Sequence, residues 1–208
     1  MVRKKSFIRF ALFSSFTVLA VGAKAITFSN VIIQSPPLST GSSFTTLANS
    51  ISFFTPNAQV GDATDPLRSG TLQIQYDASN FGGPFMTANS LSVTLASSVL
   101  GTLSSVTFTE ILVELDGAGN EVGTPLGSST HTWFAGDPPT FSDTIVFNRP
   151  VMAFRAKKSF ALDAPATQGI DLAAVTINNQ SIQVVPEPAT MAALGFGAVA
   201  LFARKRRK

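Results

Sequence analysis

The chain has 208 residues, one histidine and no cysteine, so neither disulfides nor a thiolate metal centre can stabilise it. Its formal charge of +3 belongs to its ends: residues 1–25 hold five bases and the last five residues are all basic, whereas residues 26–188 set five bases against all twelve acids, a balance of −7. A folded body of that sign excludes nucleic acid as a partner.

The first segment pairs a basic start, Arg3, Lys4, Lys5 and Arg9, with an apolar run from Phe7 to Val21. Ala23-Lys24-Ala25 follows it. Small residues flanking one tolerated residue are what signal peptidase accepts, so residues 1–25 read as a cleaved signal peptide and the mature chain is expected to begin at Ile26.

Residues 26–184 read as one domain, since about 160 residues suffice for a single core. The predicted elements are short strands: Ile26–Ile33, Ile51–Phe54, Leu72–Tyr76, Leu91–Leu95, Val106–Leu115, Thr130–Phe134, Thr144–Phe147, Val151–Ala156, Ser159–Leu162, Ile170–Ile177 and Ile182–Val185. Apolar residues alternate with polar ones, as where Leu72, Ile74 and Tyr76 flank Gln73 and Gln75, and this period of two predicts strands with one buried face. Turn formers separate the runs at Asn80–Pro84 and at Asp137-Pro138-Pro139, and Asp116–Val122 predicts a turn with a return strand. Gly41–Thr46 and Thr55–Gly70 are the longest expected excursions. The expected fold is therefore all-β: a single antiparallel β-sandwich of jelly-roll type. Twelve of the eighteen phenylalanines lie in this body and supply the expected core.

Candidate chemistry within the body is sparse. Asp62 and Asp65 share a Gly/Pro loop and are weak calcium candidates; Asp116, Asn120 and Glu121 are others, though turns select the same residues. Glu110 and Glu114 have equal parity on one strand, and a carboxylate pair is what glycoside hydrolysis needs. They are expected on the polar exterior, with Ile111, Val113 and Leu115 turned inward. His131 has neither a thiol nor a G-x-S-x-G serine to work with, so the expectation is no enzyme. Trp133 or Tyr76 could stack on a sugar if exposed. Arg149, Arg155, Lys157 and Lys158 place four of the body's five bases within ten residues, and Arg155 and Lys157 project from one face. Trp133, Arg155 and Lys157 are thus the candidate glycan contacts. No cofactor is expected beyond that weak calcium candidate.

The last segment, residues 185–208, opens on Val185-Pro186-Glu187-Pro188. An apolar run from Ala189 to Ala203 follows, and Arg204-Lys205-Arg206-Arg207-Lys208 closes it. As a helix the run spans about 22 Å, short of a hydrocarbon core of about 30 Å, so it predicts a short transmembrane helix better suited to a stop in transit than to a permanent anchor. The basic block resists translocation and is expected to stay on the cytoplasmic side.

Pro186-Glu187-Pro188, a short apolar helix and a terminal Arg/Lys cluster resemble, in that fixed order, the PEP-CTERM sorting signal of bacterial exported proteins. The resemblance is confined to about residues 185–208. It implies recognition at Pro186-Glu187-Pro188 by an exosortase, a membrane cysteine protease-transpeptidase, and release toward the envelope, cell surface or extracellular matrix. The expected function is that of an exported, non-enzymatic structural, adhesive or polysaccharide-associated matrix component. The alternatives are a secreted carboxylate-dependent hydrolase acting on glycans and a calcium-stabilised binding module. Expected partners are signal peptidase, an exosortase-type enzyme and exopolysaccharide, with transient membrane association through the tail.

Overall fold

A computed structural model describes residues 25–61, 67–95, 103–165 and 172–184. Eleven strands occur among them: β1 (Thr27–Gln34), β2 (Ser43–Leu47), β3 (Ser50–Phe54), β4 (Gln59–Val60), β5 (Ser69–Ser79) and β6 (Met86–Leu95), then β7 (Ser105–Leu115), β8 (Glu121–Phe134), β9 (Thr140–Val151), β10 (Ala153–Asp163) and β11 (Ala173–Val184). None of the described residues is helical. The expected signal peptide up to Lys24 and the whole tail, with Pro186, Glu187, Pro188 and Arg204 to Lys208, lie outside the described residues.

Two antiparallel sheets face each other. Sheet A runs β1-β5-β10-β7-β8, and sheet B runs β2-β3-β11-β6-β9, with β4 paired to one end of β11. Take β3 and β5 to β11 in chain order as eight strands. The first, eighth, third and sixth then form one sheet, and the second, seventh, fourth and fifth form the other. That interleaving is the double Greek key of a jelly roll. β1 and β2 extend the two sheets at their edges.

The alternation read from the sequence places the core. Leu72, Ile74 and Tyr76 of β5 and Phe154, Ala156, Phe160 and Leu162 of β10 point inward from sheet A. Ile51 and Phe53 of β3, Leu91, Val93 and Leu95 of β6 and Ile145 and Phe147 of β9 answer from sheet B. Aromatic rings dominate the contact: Tyr76 lies edge-on to Phe28 and Phe154 at 5.9 and 6.3 Å between centroids, and Phe108 packs on Phe160 at 5.0 Å. With no disulfide available, burial of such rings, each about 2–3 kcal/mol relative to exposure, is the main stabilising term.

Several strands run longer than expected, and three differences concern whole elements. The expected runs Val151–Ala156 and Ser159–Leu162 merge in the continuous strand β10 from Ala153 onward, with Val151 ending β9, because Lys157 and Lys158 keep the alternation and each finds a partner. The two C-terminal runs likewise join in β11. Gly41–Thr46, expected as an excursion, contains most of β2, which pairs with β3 as a fully exposed edge strand and so lacks the buried face that the pattern requires. The turns behave as expected. At Asp116–Asn120 the Asn120 N–H donates to Asp116 Oδ1 at 2.9 Å, and Gly119 takes φ +84°, a conformation glycine adopts without strain.

Candidate binding face

Along β10 the alternation sends Arg155 and Lys157 to the outer face of sheet A and Lys158 to the core. The two outer bases are already engaged. Arg155 clamps Asp77 of β5 with Nε to Oδ1 at 2.7 Å and Nη2 to Oδ2 at 2.9 Å. It also reaches Glu121 Oε1 at the start of β8, 3.2 Å away. Lys157 meets the same Glu121 carboxylate at 2.7 Å, and Asn30 of β1 donates to Asp77 Oδ2 at 2.6 Å. Hydrogen bonding from Lys157, then from Arg155, holds the Glu121 carboxyl below the usual carboxylate range. The bond to Asp77, ahead of the opposing effect of burial, raises the Arg155 guanidinium. Asn30 sits at φ +48° in a bulge of β1, and that bulge aims its amide at Asp77.

Beside this charged end the face becomes neutral and polar. Cross-strand register aligns Gln34, Gln73, Ser159, Thr109 and Thr130 in one row. Ile32, Gln75, Lys157, Ile111 and Ser128 form the next. A shallow groove of about 250 Å³ lies across these rows, lined by Gln34, Gln73, Gln75, Thr109, Ile111, Lys157 and Ser159 among others. Gln34 donates to Gln73 at 3.1 Å, so one wall of the groove is tied in place. Lys157 keeps nearly half its side chain in solvent despite the contact with Glu121. The groove thus offers amides, hydroxyls, one aliphatic contact and one half-exposed cation. This set hydrogen-bonds a neutral or anionic polyol and contains no pair of groups for acid–base chemistry. On the outer face of sheet B, Ser90 and Thr144 share a hydrogen bond at 3.0 Å, Ser142 bonds Ser92 at 3.3 Å, and Gln183 donates to Ser90 at 2.9 Å.

Several expectations need correction. Trp133 cannot serve as a stacking platform, because it is fully buried on β8, edge-on to His131 and Phe141 at 4.5 and 5.9 Å. Tyr76 is equally enclosed. His131 is half-buried and stacked on Phe141 at 4.2 Å. Glu110 and Glu114 do share a parity, but it is the inner one. Val106, Phe108 and Leu112 take that side of β7 to the core, and Ile111, Val113 and Leu115 take the outer side. Glu114 ends at the rim, held by Arg149 of β9 at 2.8 Å. Glu110 is fully buried. The carboxylate pair imagined for glycan hydrolysis is therefore divided, with one member sealed from any substrate.

The buried member belongs to a polar cluster between the sheets. Lys158 Nζ lies 3.4 Å from Glu110 Oε1, both side chains having no solvent exposure, and Asn89 of β6 donates Nδ2 to the same oxygen at 3.0 Å. The Asn89 amide N–H group also donates to the Tyr76 hydroxyl oxygen, and the rings of Tyr76 and Phe108 lie 6.0 and 5.7 Å from Nζ. Burial depresses the Lys158 ammonium to about 8, with Glu110 acting in the opposite direction, and the same burial raises the Tyr76 phenol well above its ordinary value. Parity alone marks Lys158 and Glu110 as inward, since each has core residues two positions away on both sides. Asn89 gives no such signal, because a register shift near the start of β6 moves the buried set from Met86 and Ala88 to Asn89, Leu91 and Val93.

The calcium candidates fare unevenly. Asp62 and Asp65 lie outside the described residues. Asp116 uses both carboxylate oxygens on its own turn, taking the N–H groups of Ala118 and Asn120 and the Asn120 amide, and these bonds lower its pKa. Among the described residues no three His, Cys, Asp or Glu side chains converge as a metal site would need.

Residues 184–208 match the PEP-CTERM protein-sorting motif. The tail thus carries that motif, which implies export and membrane-anchored sorting toward the envelope or the extracellular space. No curated protein matches the chain. Among solved structures, TmCBM61 in complex with beta-1,4-galactotriose is similar over 76% of this chain and 90% of its own, at 8% identity and a TM-score of 0.41. A CBM4 structure is similar over 76% and 86%, at 13% identity and a TM-score of 0.30. At these scores neither likeness bears on what this chain binds.

Proposed function

We propose that this chain is an exported, non-enzymatic module that associates with polysaccharide at the cell surface or in the extracellular matrix, and that its contact is the groove on the outer face of sheet A. Export begins with signal-peptidase cleavage between Ala25 and Ile26; Ala25 is exposed, and Ile26 is the first buried residue of the described body. An exosortase-type enzyme then acts at Pro186-Glu187-Pro188, while the short helix and the cations Arg204 to Lys208 hold the tail in the membrane during transit. The groove carries the reading. Its amides and hydroxyls match the donors and acceptors of a sugar, and Lys157 can turn from Glu121 to a uronate or sulfate. Trp133 leaves the list of glycan contacts, Lys157 stays on it, and Arg155 becomes the residue that fixes the charged end of the face.

Affinity electrophoresis of the mature protein through envelope polysaccharide from the producing cells tests this. Retardation is expected, and Gln75→Ala with Lys157→Ala should abolish it while leaving the fold intact. Unretarded wild type, or an equally retarded double variant, would remove the groove from the proposal. On this reading the domain needs no cofactor, so a chelator leaves its Tm unchanged. A fall in Tm would instead favour calcium in the loop bearing Asp62 and Asp65.

A further inference from the structure

The buried cluster offers chemistry as well as packing. An amine, a carboxamide and a carboxyl group meet between the sheets, and one oxygen, Glu110 Oε1, touches both Lys158 Nζ and Asn89 Nδ2. We infer that Lys158 and Asn89 join through an intramolecular isopeptide bond, formed once during folding with Glu110 as the proton carrier.

Three conditions are needed, and the site supplies each. The nucleophile must be a neutral amine, and burial has already brought the Lys158 ammonium down to about 8. Water must be kept away, and the site is walled by Tyr76 and Phe108, both fully buried. The reacting groups must be held together, and the fold anchors them on β10 and β6 with the carboxylate between them, converting a bimolecular amidation into an intramolecular one. The Asn89 carbonyl oxygen is buried and accepts no hydrogen bond in this arrangement, so its amide can turn that oxygen toward Glu110 without breaking a bond to the carbonyl.

The steps balance without an oxidant, a metal or an activated cofactor. The Lys158 ammonium passes one proton to Glu110, leaving a neutral amine and a carboxylic acid. The amine attacks Asn89 Cγ as Glu110 hydrogen-bonds the carbonyl oxygen. Glu110 then carries a proton from the attacking nitrogen to the departing Nδ2. The Cγ–Nδ2 bond breaks as the Nζ–Cγ amide is completed, and ammonia leaves. The remaining proton stays on Glu110 or departs with the ammonia as ammonium. The product ties β10 of sheet A to β6 of sheet B, a covalent strut in a chain with no cysteine to make one. It also replaces a buried charge pair with a neutral amide, and so removes the cost of keeping ions in an apolar interior.

The test is the intact mass of the full chain, expressed with its tail and measured after denaturation. The wild type is expected to be lighter than its sequence by one ammonia. Trypsin should fail to cut after Lys158 and should release one branched peptide joining the Asn89 and Lys158 segments. Glu110→Gln and Asn89→Ala should both return the full mass and the cut after Lys158. Full mass in the wild type, with normal cleavage after Lys158, would overturn the inference without any variant having to fold. Ammonia loss that survives Asn89→Ala would overturn it as well, since another amide would then be its source.

Discussion

Lys157 and Lys158 are neighbours in sequence and opposites in environment. Lys157 lies on the outer face of sheet A, half in solvent, and shares Glu121 with Arg155. Lys158 lies between the sheets with Glu110 as its counter-charge. The chemistry of the two pairs is the same, a lysine with a glutamate, and only the dielectric and the freedom to move differ. Outside, the pair is screened and exchangeable, which suits the binding role proposed for this face. Inside, the charges have nowhere to go, so they must be matched, neutralised or consumed.

The comparison breaks most sharply at Glu110. In an Asn89→Ala background, where the lysine and the carboxylate remain an ion pair, removing one member leaves the other buried and unmatched, so adding Lys158→Met alone or Glu110→Leu alone should cost about 3–5 kcal/mol in urea denaturation. Replacing both by the same apolar residues should recover most of that loss. Additive losses in the double variant would mean that the pair is not coupled.

A smaller effect separates the titrating pair from the bonded one. In Asn89→Ala the Lys158 amine stays free. Below about pH 8 it is protonated in the folded and unfolded chains alike; between about 8 and 10.5 the folded chain has released the proton that the unfolded chain still holds. The unfolded state then binds more protons, so stability should rise with pH, by up to about 3 kcal/mol across the full window. Tyr76 opposes this above pH 10, because burial keeps its proton on in the folded chain, so the rise is best read from 8 to 10. The wild type with its isopeptide bond formed has no amine to titrate and should show no such rise. A rise of equal size in both proteins would contradict the bond.

How much of this was legible in the sequence depends on where the period of two persisted. On β5 and β10 it ran unbroken, so the core face could be read from Leu72 to Ala78 and from Phe154 to Leu162, with Lys158 included had its parity been trusted over its charge. On β7 the reading failed because both sides are apolar. Ile111, Val113 and Leu115 compete with Val106, Phe108 and Leu112, and the pattern cannot show that sheet A gives the second set to the core. Asn89 was hidden by the register shift in β6, and the groove by topology, since Gln34, Gln73, Ser159 and Thr109 become neighbours only once four strands are placed side by side. The sorting tail needed no fold at all, as its order of motif, apolar run and basic end is linear.

The last two predictions belong to the outer face. Asp77 is nearly buried and takes three hydrogen bonds, two from Arg155 and one from Asn30, so Asp77→Asn should cost about 1–3 kcal/mol, more than an exposed pair would. Lys157→Ala should change stability by less than about 1 kcal/mol, because its partner Glu121 remains solvated and keeps Arg155. The two variants should rank oppositely in binding. Asp77→Asn leaves every side chain lining the groove in place and should retain polysaccharide retardation in any chain that is folded, whereas Lys157→Ala should weaken it, most of all at low salt, where an exposed cation acts farthest. Equal retardation of the two at low salt would mean that this lysine is only a partner for Glu121.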